Sequence, residues 1–220
     1  MTIIFLMEHK VNFNISASYY TLNELTDLTT DIWIVCHGFG QLAEHFIRRF
    51  DILNPDKNFV IAPQGLSKFY MDNYQKVGAS WMTKLNKEVE IDNQQNYFDA
   101  VISDALQGKR LSDFKVHLLG FSQGVSVVCR MAAYAKIDFK HLMVWAGGFP
   151  LELKEEDFAH LSEDSKVTVI IGDQDELVPM NERFEAAVQQ AEKVLNRKVG
   201  ILKFDGGHEV KRDVLRDLVD

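Results

Sequence analysis

The sequence predicts an α/β fold: a mostly parallel central sheet with helices on both faces. Two observations carry that expectation. From residue 31 onward, short apolar runs alternate with longer stretches of helical periodicity, the chain order that builds a parallel sheet between helical layers. The runs are also nearly continuous in apolar residues, as expected of strands covered on both faces. They are Ile32–Cys36, Phe59–Ala62, Val116–Leu119, His141–Ala146, Lys166–Ile171 and Val199–Phe204.

The elements can be placed in order. Ile3–Met7 and Val11–Ala17 are β-rich runs separated by Glu8–Lys10, which predicts an N-terminal antiparallel hairpin at the sheet edge. Tyr19–Thr30 is polar and reads as a connection. Gln41–Leu53 has the spacing of an amphipathic helix ended before Asn54–Pro55. Gly65–Ile91 has no clear periodicity but carries Phe69, Tyr70, Met71, Tyr74, Trp81 and Met82, so it reads as a long loop able to line an apolar pocket. Asp92–Leu106 predicts a helix capped by Asp92, and Val125–Ala135 and Arg183–Leu195 predict two more. The composition, 25% charged and 46% apolar, is that of an ordinary globular protein. A chain of 220 residues with no internal repeat or linker suits one domain spanning 1–220. The stretch between Phe149 and Lys166 is too short for a large cap domain.

Composition narrows the function. A net charge of -8 argues against nucleic acid, whose phosphates call for a basic surface. The apolar N-terminus lacks a basic leader and is too short to span a bilayer. Two cysteines, Cys36 and Cys129, lie in no metal-ligand or redox spacing and suit a reducing compartment, so a cytoplasmic protein is expected. The histidines are scattered without a His-x-x-x-His pair. Neither a metal nor another cofactor is expected.

The chemistry is concentrated in loops that follow strands. Gly120–Phe121–Ser122–Gln123–Gly124 lies between an apolar run and a helical one, the nucleophile-elbow pattern. The turn that lifts a serine hydroxyl clear of a sheet leaves no room for side chains at its two glycines. The helix that follows directs free N–H groups toward Ser122. His37–Gly38–Phe39–Gly40 follows the first buried strand, where a hydrolase draws its second oxyanion donor. The donors would be the amides of Phe39 and Gln123. His37 is expected to brace that loop through backbone hydrogen bonds. Acid candidates, Asp173 and Asp175 among them, follow the Lys166–Ile171 run, and Gly207–His208 follows the last strand. The order serine, acid, histidine is that of an α/β-hydrolase.

With these segments in view, the chain resembles the phospholipase/carboxylesterase family of small α/β-hydrolases, which includes the acyl-protein thioesterases. The resemblance rests on His37–Gly40, Gly120–Gly124, the Gly-x-x-Asp-x-x-Val-Pro of Gly172–Pro179, and Gly207–His208, and runs from about Asp31 to the C-terminus. It implies that the acid is Asp175 rather than Asp173, and it implies the same oxyanion pair. The chain departs from the family pattern at Cys36, where leucine is common, and at Ser80–Thr83, where a Trp-Phe-Asp-like segment is common. The pocket wall and the choice between ester and thioester therefore stay open.

The expected function is a serine hydrolase that cleaves small carboxylic esters or thioesters through an acyl-enzyme on Ser122, with Asp175 and His208 completing the triad. Trp81, Phe69 and Val178 are the pocket candidates. A peptidase or amidase on the same fold, or a catalytically silent ligand-binding member, are the alternatives. A cysteine nucleophile is disfavoured, because neither Cys36 nor Cys129 sits in an elbow.

Overall fold

The computed structural model describes residues 6–178 and 182–219. The strands are β1 (Tyr19–Leu22), β2 (Asp31–Cys36), β3 (Asn58–Pro63), β4 (Ser67–Met71), β5 (Lys76–Ser80), β6 (Lys115–Phe121), β7 (His141–Trp145), β8 (Lys166–Gly172) and β9 (Gly200–Phe204). The helices are α1 (Ala43–Phe46), α2 (Lys87–Leu106), α3 (Gln123–Tyr134), α4 (Glu182–Leu195) and α5 (Arg212–Val219). Among the described residues the main sheet runs β1-β3-β2-β6-β7-β8-β9. Every pairing in it is parallel except β1 with β3.

Alternate residues of one strand supply two separate cores, because successive side chains point to opposite faces. Ile32, Ile34 and Cys36 of β2 pack with α2, α3 and α4. Trp33 and Val35 pack with α1 and α5 on the other face. Both faces are dry, which explains why the central runs are apolar without alternation.

The parallel register aligns the strand ends. Cys36 stands opposite Gly120, Phe121 opposite Trp145, and Gly172 opposite Phe204. The loops after β2, β6, β7, β8 and β9 therefore emerge along one edge, the carboxyl edge at which open α/β sheets bind ligands.

Several expectations need correction. The N-terminal hairpin is displaced: Ile3–Phe5 lie outside the described residues, and Leu6–Ser18 form no regular structure, with Val11, Phe13 and Ile15 exposed. The antiparallel edge strand is instead Tyr19–Leu22, read from sequence as connection. It pairs with β3 (Thr21 opposite Ile61) and so occupies the edge an N-terminal strand would have used. The amphipathic stretch 41–53 buries Ala43, Phe46, Ile47, Phe50 and Leu53 as its spacing implies, but it is one α-turn followed by a 3₁₀ turn, Ile47–Phe50. Residues 65–91 are not a loop: β4 and β5 form a two-stranded antiparallel ribbon. α2 then begins at Lys87, which leaves Asp92 inside the helix rather than at its cap. Helix α5, for which the sequence gives no expectation, docks Leu215 into the second core.

Candidate active site

β6 ends at Phe121 and α3 begins at Gln123, so Ser122 alone makes the turn. Its backbone sits at φ 53°, ψ −116°, a conformation that a residue with a side chain holds only when its surroundings impose it. The imposing contacts are backbone against backbone. A β-carbon on Gly120 would lie 2.4 Å from the Gly124 carbonyl oxygen, and one on Gly124 would lie 2.2 Å from that of Cys36. Helix α3 can pack this closely on β6 and β2 only because both positions are glycine. The Ser122 amide donates to the Trp145 carbonyl at 2.8 Å and fixes the turn to β7.

The loop after β8 brings in the acid. Asp175 Oδ2 lies 2.8 Å from His208 Nδ1, and Asp175 Oδ1 accepts from the amides of Leu177 and Val178 at 2.9 Å each. The Asp175 side chain is 0% exposed. An ionised carboxylate only accepts, so the proton between the two groups sits on Nδ1, and Nε2 is left with its lone pair. Asp173 is exposed and accepts instead from the Gly206 amide at 3.1 Å, tying the β8 loop to the histidine loop. The His208 ring lies 4.9 Å from that of Phe121, the residue before the serine.

The loop after β2 closes the other side. A β-carbon on Gly38 would lie 3.3 Å from Ser122 Cβ. The Gly38 amide donates to Gln41 Oε1 at 3.0 Å and the Gly40 amide to the Ala79 carbonyl at 2.8 Å. Between them, the amide of Phe39 has no acceptor among the described residues. The amide of Gln123 is the first of α3, where a helix leaves its N–H groups unpaired. His37 is fully buried. Its Nδ1 donates to the Gly38 carbonyl at 2.8 Å and its Nε2 accepts from the Gly65 amide at 3.0 Å. Burial pushes its pKa down to about 4, so it stays neutral and braces the loop.

The segment that follows the ribbon links the two halves of this loop cluster, a feature the sequence did not reveal. The Gln123 side chain accepts from the Trp81 amide at 3.0 Å and donates to the Met82 carbonyl at 2.9 Å. Trp81 Nε1 donates to the His37 carbonyl at 2.8 Å. Trp81 is 2% exposed and packs in the first core. Phe69 stacks on the exposed ring of Phe39 at 5.1 Å. Val178, by contrast, lines an apolar cavity of about 250 Å³ together with Val144, Gly147, Phe149, Val169 and Val188. A β-carbon on Gly147 would meet the Ser122 carbonyl at 2.4 Å, so the cavity borders the elbow. This apolar space lies between β7, β8 and α4. Cys36 and Cys129 are buried free thiols whose pKa values burial drives up, away from nucleophilic thiolate. Among the described residues no cluster of His, Cys, Asp or Glu could hold a metal ion, and no helix is long and apolar enough to cross a membrane.

Elbow, sheet order and loop placement define an α/β-hydrolase. The family model for Phospholipase/Carboxylesterase matches residues 22–220, and the chain belongs to that family. It is a hydrolase of the esterase or thioesterase type. The fold is shared with solved structures at low sequence identity. Acyl-protein thioesterase 2 of Zea mays is 13% identical, with a TM-score of 0.66 over 92% of this chain and 96% of that one. Esterase PE8 is 19% identical, with a TM-score of 0.68 over 93% and 96%. A phospholipase/carboxylesterase from Dyadobacter fermentans is 20% identical, with a TM-score of 0.65 over 92% and 94%. No curated protein sequence matches the chain.

Proposed function

We propose that the protein is a serine esterase in which Ser122, His208 and Asp175 form the catalytic triad. The observation that carries this reading is the buried Asp175, which accepts three N–H groups, one of them Nδ1 of His208 at 2.8 Å. That bond leaves Nε2 as the base. His208 takes the proton of Ser122 as Oγ bonds to the acyl carbon, and Asp175 stabilises the imidazolium. The amides of Phe39 and Gln123 hold the oxyanion, each worth about 3 kcal/mol. Collapse breaks the bond to the leaving oxygen or sulfur, which takes the proton from His208. Water, activated by the same histidine, then releases the acid and restores Ser122. The cavity at Val178 takes the acyl chain. The free buried thiols suit a cytoplasmic location.

The test is hydrolysis of matched 4-nitrophenyl ester, aryl thioester and 4-nitroanilide substrates carrying one short acyl group. The wild type should cleave the ester and thioester far faster than the anilide, and Ser122→Ala should cleave none. Activity retained by Ser122→Ala would refute the nucleophile, and an anilide rate matching the ester rate would make the protein an amidase.

A further inference from the structure

We propose that a groove on the α1 side of the elbow binds an anionic leaving group, so that the preferred substrates are esters or thioesters whose alcohol or thiol carries a carboxylate or phosphate. The inference rests on the serine-esterase reading and adds the polarity of the second half of the substrate.

The groove, about 420 Å³, has Gly40, His45, Phe46, Arg49 and Lys76 among its walls. It starts at the loop that borders Ser122, since Gly40 is two residues from Gly38. Arg49 is half-buried there, its guanidinium carbon 5.6 Å from the centre of the Phe46 ring. Phe46 stacks on Phe121 at 6.3 Å, and Phe121 touches His208. Two rings, those of Phe46 and Phe121, therefore stand between Arg49 and the proposed base.

The cation is underused within the chain. Arg48 pairs with Glu44, Lys76 with Asp72, Arg130 with Glu152 and Arg212 with Asp51. Among the described residues Arg49 has no carboxylate within ion-pair distance, and it makes one long hydrogen bond, 3.5 Å, to the His45 carbonyl. Burial lowers its pKa, while Glu209 acts on it through space in the opposite direction. Glu209 is itself exposed and near Lys211 at 4.0 Å. A weakly hydrated guanidinium with free donors in a planar fork is the group best suited to a carboxylate or phosphate. In a chain of net charge -8 the groove is lined by Arg49 and Lys76 and, among the described residues, by no carboxylate, which favours anions there. Across the elbow the Val178 cavity is apolar, so the two sides select the two halves of the substrate. Ser122 Oγ adds to the acyl carbon, collapse of the oxyanion then breaks the bond to the anionic alcohol or thiol, which takes the proton from His208, and Arg49 holds the part that leaves.

Two esters that share a butanoyl group and differ by one carboxylate test this: 4-nitrophenyl butanoate and 5-(butanoyloxy)-2-nitrobenzoate. Both give the same acyl-enzyme, so a contact to the leaving group shows in kcat/KM for acylation and not in the shared deacylation step. The ratio of kcat/KM, charged ester over neutral, should fall about tenfold in Arg49→Gln and recover in part in Arg49→Lys. In the wild type it should fall severalfold as salt rises from about 20 mM to about 500 mM. A ratio that stays within twofold across variants and salt overturns the proposal alone. Should Arg49→Gln fail to fold, the wild-type salt series decides by the same criterion. Cleavage of neither ester by wild type, or cleavage that survives Ser122→Ala, overturns the serine-esterase reading and this inference with it.

Discussion

Asp173 and Asp175 sit two residues apart on the same loop, and their surroundings give them different work. Asp175 is buried, saturated by three N–H donors and bonded to the imidazole. Asp173 is exposed and bonded to a backbone amide. Asp175→Asn should lower kcat by about 10⁴, because an amide at that position favours the wrong imidazole tautomer. Asp173→Asn should cost about threefold or less, since it loosens a loop tie and leaves the tautomer alone. Steady-state kinetics with the 4-nitrophenyl ester decides, and the reverse ranking would show that the acid has been misassigned. The sequence pattern had pointed to Asp175 through family resemblance, whereas residue type alone left both carboxylates open.

The elements that were legible in sequence are those whose stability comes from burial of their own side chains. β2, β3, β6, β7 and β8 announce themselves as apolar runs because both of their faces are covered. The β4–β5 ribbon was illegible for the opposite reason. It carries Lys68, Tyr70, Tyr74 and Lys76 outward, and its pairing closes through a turn in which Asp72, Asn73 and Tyr74 all have positive φ, at 48°, 52° and 68°. What holds the ribbon is contact with the Gly38–Gln41 loop, which no local pattern encodes. The segment after it, Ser80–Met82, connects the two proposed oxyanion donors through the Gln123 side chain. Gln123→Leu keeps the backbone amide and removes that link. It should lower kcat by about 10- to 100-fold while KM changes little, the pattern of a lost transition-state interaction. A change in KM alone would mean that Gln123 shapes the pocket instead.

For the molecule as a whole, the register of the parallel sheet does the placing: it sets five loops along one edge, and Ser122, Asp175 and His208 arrive on three of them. That much followed from chain order. The position of the apolar cavity did not, because it depends on how α4 stands off from β7 and β8. The interior also predicts a pH response. Burial holds His37 and His141 neutral, each with a pKa pushed down to about 4. Their folded values lie below the unfolded value near 6.5, so the unfolded chain binds more protons in between. Stability is complete above about pH 6.5 and is lost as pH falls toward 4, at up to ~1.4 kcal/mol per pH unit for each histidine. Urea unfolding between pH 7.5 and 5 should show the slope, and His141→Gln should remove about half of it. A flat profile would mean that the buried histidines titrate freely in the folded protein.

The central claim, an activated Ser122, is tested most directly with a fluorophosphonate probe read by intact mass and peptide mapping. Such a reagent phosphonylates a serine only where a base and an oxyanion site activate it. One adduct on the wild type, mapped to Ser122, absent from Ser122→Ala and formed far more slowly by His208→Ala, is the predicted result. A folded wild type that takes no adduct, or takes it on another residue, would contradict the account and turn attention to a silent, ligand-binding member of the family.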